Sequence, residues 1–371
     1  MPSLISSRSP IWVEDLLNRA DAERTAGRVR LAMEMYRRAH GAAPEHAAAA
    51  RRLGTTLSML GRRAEAEVVL RKALAAEPTN AGAHHALATT LMAQARYSEA
   101  APHYAARFSL PELNIRPPEG LGFPRWSGED VAGKRVVVFP EMGFGDQIQQ
   151  ARFAALMRDR GCDVTLLCRP GLERLFADSL PGVRVIAASG GVDFPDPDLW
   201  MMSGDLMFLP GITLETLPNA PYLRAPEPPP SLPPGLKIGL VTAGNPHHRN
   251  DANRSLPADL AERLRGGLPG QVISLAPADT GARDFADTAA LVEALDLVVT
   301  VDTSVAHLAG ALGKRALVLI PALNTDWRWM HGRADSPWYP SLTLYRAHPV
   351  AGWPPAIDQL LHDASAQAGP G

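Results

Sequence analysis

The chain has 371 residues, 46% hydrophobic and 20% charged, which is material for two or three packed domains. A formal net charge of −2 with both signs dispersed gives no bulk attraction for nucleic acid or an anionic membrane, so any anion binding has to be local. No run of about 20 apolar residues occurs, and no transmembrane segment is expected.

The opening stretch MPSLISSRSPIWV lacks the apolar core and small-residue cleavage site of a secretory signal. The two cysteines, Cys162 and Cys168, share one extended segment, where they stand roughly 20 Å apart and out of disulfide reach. A reducing cytoplasm is the expected location.

From residue 11 to 115 the chain repeats itself every 34 residues without an insertion. Ala20, Gly54 and Ala88 are the small residues of a first helix, Gly27, Gly61 and Ala95 mark a turn, and Ala32, Ala66 and Ala100 follow in a second helix. Tyr36, Leu70 and Tyr104 form the larger knob, and Pro44 and Pro78 close the first two repeats. Small residues where two helices of a hairpin must touch describe three tetratricopeptide-type repeats, a solenoid expected to hold a protein or peptide partner.

Prolines and glycines replace the alanines between 111 and 130. From 131 to 217 apolar runs alternate with helical stretches (RVVVFP, DQIQQARFAALMRDRG, DVTLLC, PGLERLFADSL, VRVIAA), the texture of a parallel sheet covered on both faces. LWMMSGDLMFLPGITL reads as a buried strand with loops. Eight prolines between Pro218 and Pro234 make residues 218–235 a stiff linker. A second α/β series fills 236–367, with strands KIGLVTA, QVISLAP, LVVTVD and ALVLIP. Two such units place their ligands at the carboxyl ends of their strands, facing a shared cleft.

Three strand-to-helix junctions carry candidate chemistry. In EMGFGDQIQQ, Gly143 and Gly145 permit a tight turn and Asp146 stands at the start of a helix, either as general base or as an ordinary helix cap. The string matches neither a P-loop nor GxGxxG. In VDTSVAHLAGALG, Asp302, Thr303, Ser304 and His307 surround a helix N-terminus suited to a diphosphate, although caps and a satisfied core histidine give the same letters. The loop GNPHHRNDANRS brings Gly244, Asn245, Arg249 and Arg254 to the cleft mouth, where an arginine can take a leaving diphosphate. It can equally be a solvated turn stapled by Asn and Asp side chains. His247 and His248 have no matching ligand set, so no metal is expected. Finally, Trp327, Trp329, Trp338 and Tyr339 surround Arg328 and Arg333; they stack on a base or sugar, or pin the C-terminal segment in place.

GFGDQIQQARF followed by VDTSVAHLAGALGK resembles the heptosyltransferase-like glycosyltransferases of family 9. The strings GNPHHRNDANRS and DWRW…DSPWYP resemble the bacterial branch in which tetratricopeptide repeats precede the transferase. The resemblance implies a GT-B pair of Rossmann-like domains, acceptor on the first and nucleotide-sugar on the second. It implies Asp146 as base, Asp302, Thr303, Ser304 and His307 as the nucleotide-diphosphate motif, Arg254 beside the leaving group, and no cofactor or divalent metal. Thr242 departs from it, since relatives often carry a bulky aromatic there. The expected function is metal-independent sugar transfer from a nucleotide-sugar to a hydroxyl acceptor on a protein held by the repeats. The alternative is a repeat adaptor carrying an inactive nucleotide-sugar-binding module.

Overall fold

The computed structural model describes residues 10–226 and 228–367, so the N-terminal segment read for a signal lies mostly outside the described residues. The chain forms two compact units, one made of residues up to Arg116 together with Leu323–His331, the other of Pro117–Ala322 with the chain from Gly332 onward.

The first unit is the repeat region. Helices α1 (Pro10–Thr25) and α2 (Val29–Ala42), α3 (Ala47–Met59) and α4 (Arg63–Ala76), and α5 (Ala81–Met92) and α6 (Tyr97–Tyr104) pack as three hairpins. The small positions do what their spacing requires: a methyl on Gly54 would stand 2.6 Å from Leu70 Cγ, so α3 and α4 approach this closely only over a glycine. The first two turns use left-handed glycines, Gly27 at φ +80° and Gly61 at φ +77°. The third has Ala95 at φ +58°, where a side chain is strained. A further periodic position escaped the sequence reading. Arg28, Arg62 and Arg96 occupy the cap position of each second helix. Arg62 and Arg96 reach Glu65 and Glu99, Nε to carboxylate, at 2.6 and 2.7 Å, whereas Leu31 stands 49% exposed at the equivalent place in the first repeat.

The third hairpin is closed by a distant part of the chain. Helix α6 contains Pro102 and runs into 3-10 turns at Ala105–Ser109 and Pro111–Leu113, which bury Arg107 between the Tyr104 and Phe108 rings. Against the hairpin loops lies the segment Leu323–His331. Asn324 N–H donates to the Met59 carbonyl at 2.9 Å, Trp327 meets Tyr97 edge-on at 6.4 Å, and the His331 ring lies beside Gly61. Trp329 is fully buried, and Arg328, 4% exposed, is held by Asp326 and the Trp327 face. Trp327 and Trp329 do pin the segment, but to the repeats and not to the α/β domain around them in the sequence.

The second unit contains two parallel sheets. In the first, β1 (Arg135–Phe139), β2 (Asp163–Cys168), β3 (Arg184–Ala187) and β4 (Leu199–Met202) lie in the order β3-β2-β1-β4, with Val137 opposite Thr165 and Trp200. Helix α7 (Phe144–Asp159) follows β1 and α8 (Glu173–Ser179) follows β2.

In the second sheet, β5 (Lys237–Val241), β6 (Gln271–Ser274), β7 (Leu297–Val301), β8 (Ala316–Ile320) and β9 (Leu342–Arg346) take the order β6-β5-β7-β8-β9. Helices α9 (Asp251–Arg254), α10 (Ala258–Gly267), α11 (Pro277–Thr280), α12 (Phe285–Ala294), α13 (Ser304–Ala311) and α14 (Pro354–Gln367) connect and cover these strands. Val299, Val301, Leu317 and Leu319 pack with Leu264, Ile357 and Leu360 into its core, which is why its central strands read as unbroken apolar runs. A solenoid followed by two Rossmann-like sheets is the architecture expected from the sequence. Strand order reverses at β1 in the first sheet and between β5 and β7 in the second, and such switch points open crevices at the strands' carboxyl ends.

Candidate active site

The chain leaves β1 through Glu141 and Met142 and enters α7 at Phe144. Met142 has φ +62° and its carbonyl accepts from Arg169 Nη2 at 2.9 Å, which holds the turn in its left-handed form. Glu141 is 5% exposed, and its N–H donates to Ser203 Oγ at 3.2 Å. Gly143 caps the helix, so Asp146 is its third residue rather than the cap itself. Asp146 Oδ2 accepts the Gly143 N–H at 3.1 Å. The capping reading of Asp146 is therefore realised in part, with one oxygen; the carboxylate is half-buried.

Facing it is the N-terminus of α13. A methyl built on Gly145 would fall 2.8 Å from His307 Cδ2 and 3.3 Å from Ser304 Cα, so the glycine is where the two helix starts touch. Asp302 and Thr303 are each 8% exposed and His307 is 7% exposed. Thr303 is the cap of α13, and its hydroxyl lies 3.2 Å from that of Thr300. Tyr339 Oη and His307 Nδ1 are 3.0 Å apart, which fixes the imidazole and leaves its Nε2 edge toward Gly145.

The loop after β5 completes this corner. Arg254 donates from Nη1 to the Asp302 carbonyl at 2.9 Å and from Nε to Asp251 at 3.1 Å. Gly244 leaves room for it: a methyl there would be 2.6 Å from Arg254 Nη2. Gly244 N–H donates to Ser255 Oγ at 2.8 Å, and Asn245 Oδ1 accepts from His247 N–H at 3.0 Å. The loop is thus stapled by its own Asn, Asp and Ser side chains. Asn245, Arg249, His247 and His248 lie on its exposed side.

Of the candidates, Gly145 touches Ser304 and His307, Gly143 and Asp146 share its turn, and Arg254, with Gly244 against it, holds the Asp302 carbonyl next to Thr303. Asn245 and Arg249 stand further out, on the exposed stretch of the loop. Sequence reasoning missed Tyr339 as the partner of His307, although the SPWYP string contained it. It also missed what joins the two sheets: Phe144 against Phe285, ring centres 4.9 Å apart, and Arg174 bound to Asp284 and Asp287. These carboxylates hold the Arg174 proton more tightly than usual, and Arg283 and Arg174 hold the Asp287 carboxyl well below its ordinary range. Burial pushes both Cys162 and Cys168 up to about 12, which removes them as nucleophiles.

Comparison with known proteins agrees with this layout. Residues 60–106 match the tetratricopeptide repeat, and residues 252–323 match glycosyltransferase family 9 (heptosyltransferase), a stretch that runs from α9 through β8. Residues 60–106 are thus similar to a tetratricopeptide repeat, and residues 252–323, in the second sheet's half, to family 9 glycosyltransferases. Protein FlbA of Caulobacter vibrioides is 28% identical over 306 residues, which is 69% of this chain; the match spans 50% of the length of that relative. A family 9 glycosyl transferase from Veillonella parvula aligns over 65% of this chain and 99% of its own at 13% identity and a TM-score of 0.43. The crystal structure of MamA aligns over 29% of this chain and 62% of its own at 16% identity, with a TM-score of 0.26.

Proposed function

We propose that the α/β unit moves a sugar from a nucleotide-sugar to a hydroxyl acceptor, on a GT-B framework and without a metal ion, in the cytoplasm. The observation that carries this reading is the meeting of α7 and α13 at Gly145 and His307, which sets a carboxylate opposite a helix N-terminus. In the transfer, Asp146 accepts the acceptor proton as the acceptor oxygen bonds to the anomeric carbon. The bond from that carbon to the diphosphate breaks, and the nucleoside diphosphate leaves with the electron pair. The first turn of α13, with Thr303, Ser304 and His307, and Arg254 beside Asp302, balance the charge that develops there. Gly143 and Gly244 keep the two turns open, and Asn245 and Arg249 extend the donor side. The repeats hold the acceptor, a protein or peptide.

The second reading is an adaptor whose transferase unit is inactive, and it is favoured by the cap that occupies one oxygen of Asp146. Calorimetry of the purified protein against UDP-, GDP-, ADP-, CMP- and dTDP-sugars, without added metal, finds the donor, and a transfer assay with that donor separates the two. Binding of one donor that is lost in Ser304→Trp places the donor at α13, and turnover of that donor onto an acceptor, lost in Asp146→Asn, supports transfer. Absence of binding by every donor to the folded protein supports the adaptor.

A further inference from the structure

The helix that bears Asp146 also bears a buried arginine that the transfer chemistry does not use. Arg152 is 2% exposed, and its hydrogen-bond partners are uncharged. Its Nε donates to the Gln149 carbonyl at 2.9 Å, Nη1 to the carbonyls of Pro218 and Trp338 at 2.8 Å each, and Nη2 to Tyr222 Oη at 3.3 Å. Its guanidinium carbon stands 4.7, 5.3 and 4.6 Å from the ring centres of Tyr222, Trp338 and Tyr339. A guanidinium out of water and without a carboxylate is tolerated when several acceptors and aromatic faces replace its hydration.

Those partners come from three places. Gln149 is on α7, Pro218 and Tyr222 belong to the connection between the sheets, and Trp338 and Tyr339 belong to the second half. Tyr222 Oη donates to the Ile148 carbonyl at 2.8 Å, and the backbone N–H groups of Tyr222 and Leu223 donate to Ala311 at the end of α13, at 3.0 and 3.1 Å. Tyr339 lies so tightly on α13 that a methyl at Gly310 would be 2.3 Å from its ring, and its hydroxyl is the one that meets His307.

We infer that Arg152 is a positioning residue, a clasp that fixes α7 to the second half so that Asp146 keeps one spacing from the α13 N-terminus. Tyr339 carries the clasp to the His307 ring. What the spacing serves rests on the transfer reading; the clasp itself does not. Lysine cannot replace it, because one ammonium can take the two carbonyls bound by Nη1 but not also the Gln149 carbonyl and the Tyr222 hydroxyl, and it has no planar face to stack on the rings.

The test uses the full chain with nitroxide labels at Asp159→Cys on α7 and Val350→Cys in the second half, positions whose side chains are 62% and 84% exposed. Cys162 and Cys168 are buried and stay unlabelled. Pulsed electron resonance is expected to give one narrow distance distribution, broadened in Arg152→Lys and in the milder Tyr222→Phe, which keeps the ring and deletes one hydroxyl. In the same variants, with the nucleotide-sugar found by the donor screen, kcat is expected to fall about 100-fold for Arg152→Lys while the donor KM stays within about threefold. Tyr339→Phe is expected to change the pH profile of kcat, since it takes the hydroxyl away from His307 Nδ1, which a purely structural ring would not do. A distance distribution unchanged in both Arg152→Lys and Tyr222→Phe overturns the clasp, and a broadened one with unchanged kcat overturns its positioning role. Broadening in a protein whose wild type binds no donor supports the clasp and removes the transfer reading.

Discussion

Gly145 and His307 touch across the two halves of the α/β unit, with room at Gly145 for a hydrogen and not for a methyl: its carbon would fall 2.8 Å from His307 Cδ2. Gly145→Ala is therefore expected to part the starts of α7 and α13 or turn the imidazole. On the transfer reading, a misplacement near 1 Å costs turnover about 100-fold. Steady-state assays with the wild-type donor, beside a thermal melt that stays within a few degrees, check this. Unchanged turnover would mean that the two helix starts do not need to meet.

Asp146→Asn retains an amide oxygen for the Gly143 N–H and loses the charge. The fold is expected to persist, donor binding to change little and transfer to fall between about 100-fold and 10,000-fold, the range assigned to a general base. Full transfer in this variant would reduce Asp146 to a helix cap.

That cap shows how far the sequence could be read. GFGDQIQQ announced a turn, a helix and a carboxylate, and each is present. The helix begins two residues earlier than the carboxylate suggested, because a capping box looks from sequence like a cap followed by a helix. The motif around Thr303 could be placed because a parallel strand and its helix are adjacent in the chain. Arg152 gave no signal, since all but one of its acceptors are backbone carbonyls, at Gln149, Pro218 and Trp338, and carbonyls carry no letter in a sequence. Trp329 gave a signal without an address: an aromatic cluster says that something is covered, and only the fold says that the repeats cover it.

The strained turn of the third repeat offers a gain. Ala95→Gly removes a side chain from φ +58°, relieving about 1 kcal/mol of left-handed strain while adding some unfolded-state entropy. The melting temperature of the repeat unit is expected to rise by a few degrees, read by circular dichroism in the helical far-ultraviolet band. A fall would show that side-chain contacts of Ala95 outweigh its backbone.

The same repeat is expected to lose stability in acid. Burial, with Arg107 beside it, pulls His85 from 6.5 down to about 4, and burial next to His84 and Arg71 lowers His103 as well. Between pH 6.5 and about 4 the unfolded chain binds a proton at His85 that the folded one refuses, so stability falls as pH falls through this window, by at most roughly 3 kcal/mol. Denaturation midpoints of wild type and His85→Gln are expected to converge on acidification. Parallel pH curves would place the sensitivity elsewhere.

Trp329→Ala empties a fully buried site among the repeat unit's second piece and is expected to destabilise that unit by about 3–5 kcal/mol. Limited proteolysis should then cut within residues 10–116 at a protease dose that spares the wild type. Equal resistance would show that the first piece holds together alone.

The two-piece construction has a consequence for biogenesis. The helices up to Tyr104 leave the ribosome early, but the Leu323–His331 piece that packs on their loops emerges roughly 200 residues after Arg116, on the order of 10–40 s later at common elongation rates. During that interval Tyr97 and the hairpin loops have their final neighbours still unmade, and the nascent chain presents a face that the finished protein covers. The solenoid, although first in the sequence, is among the last parts to be completed.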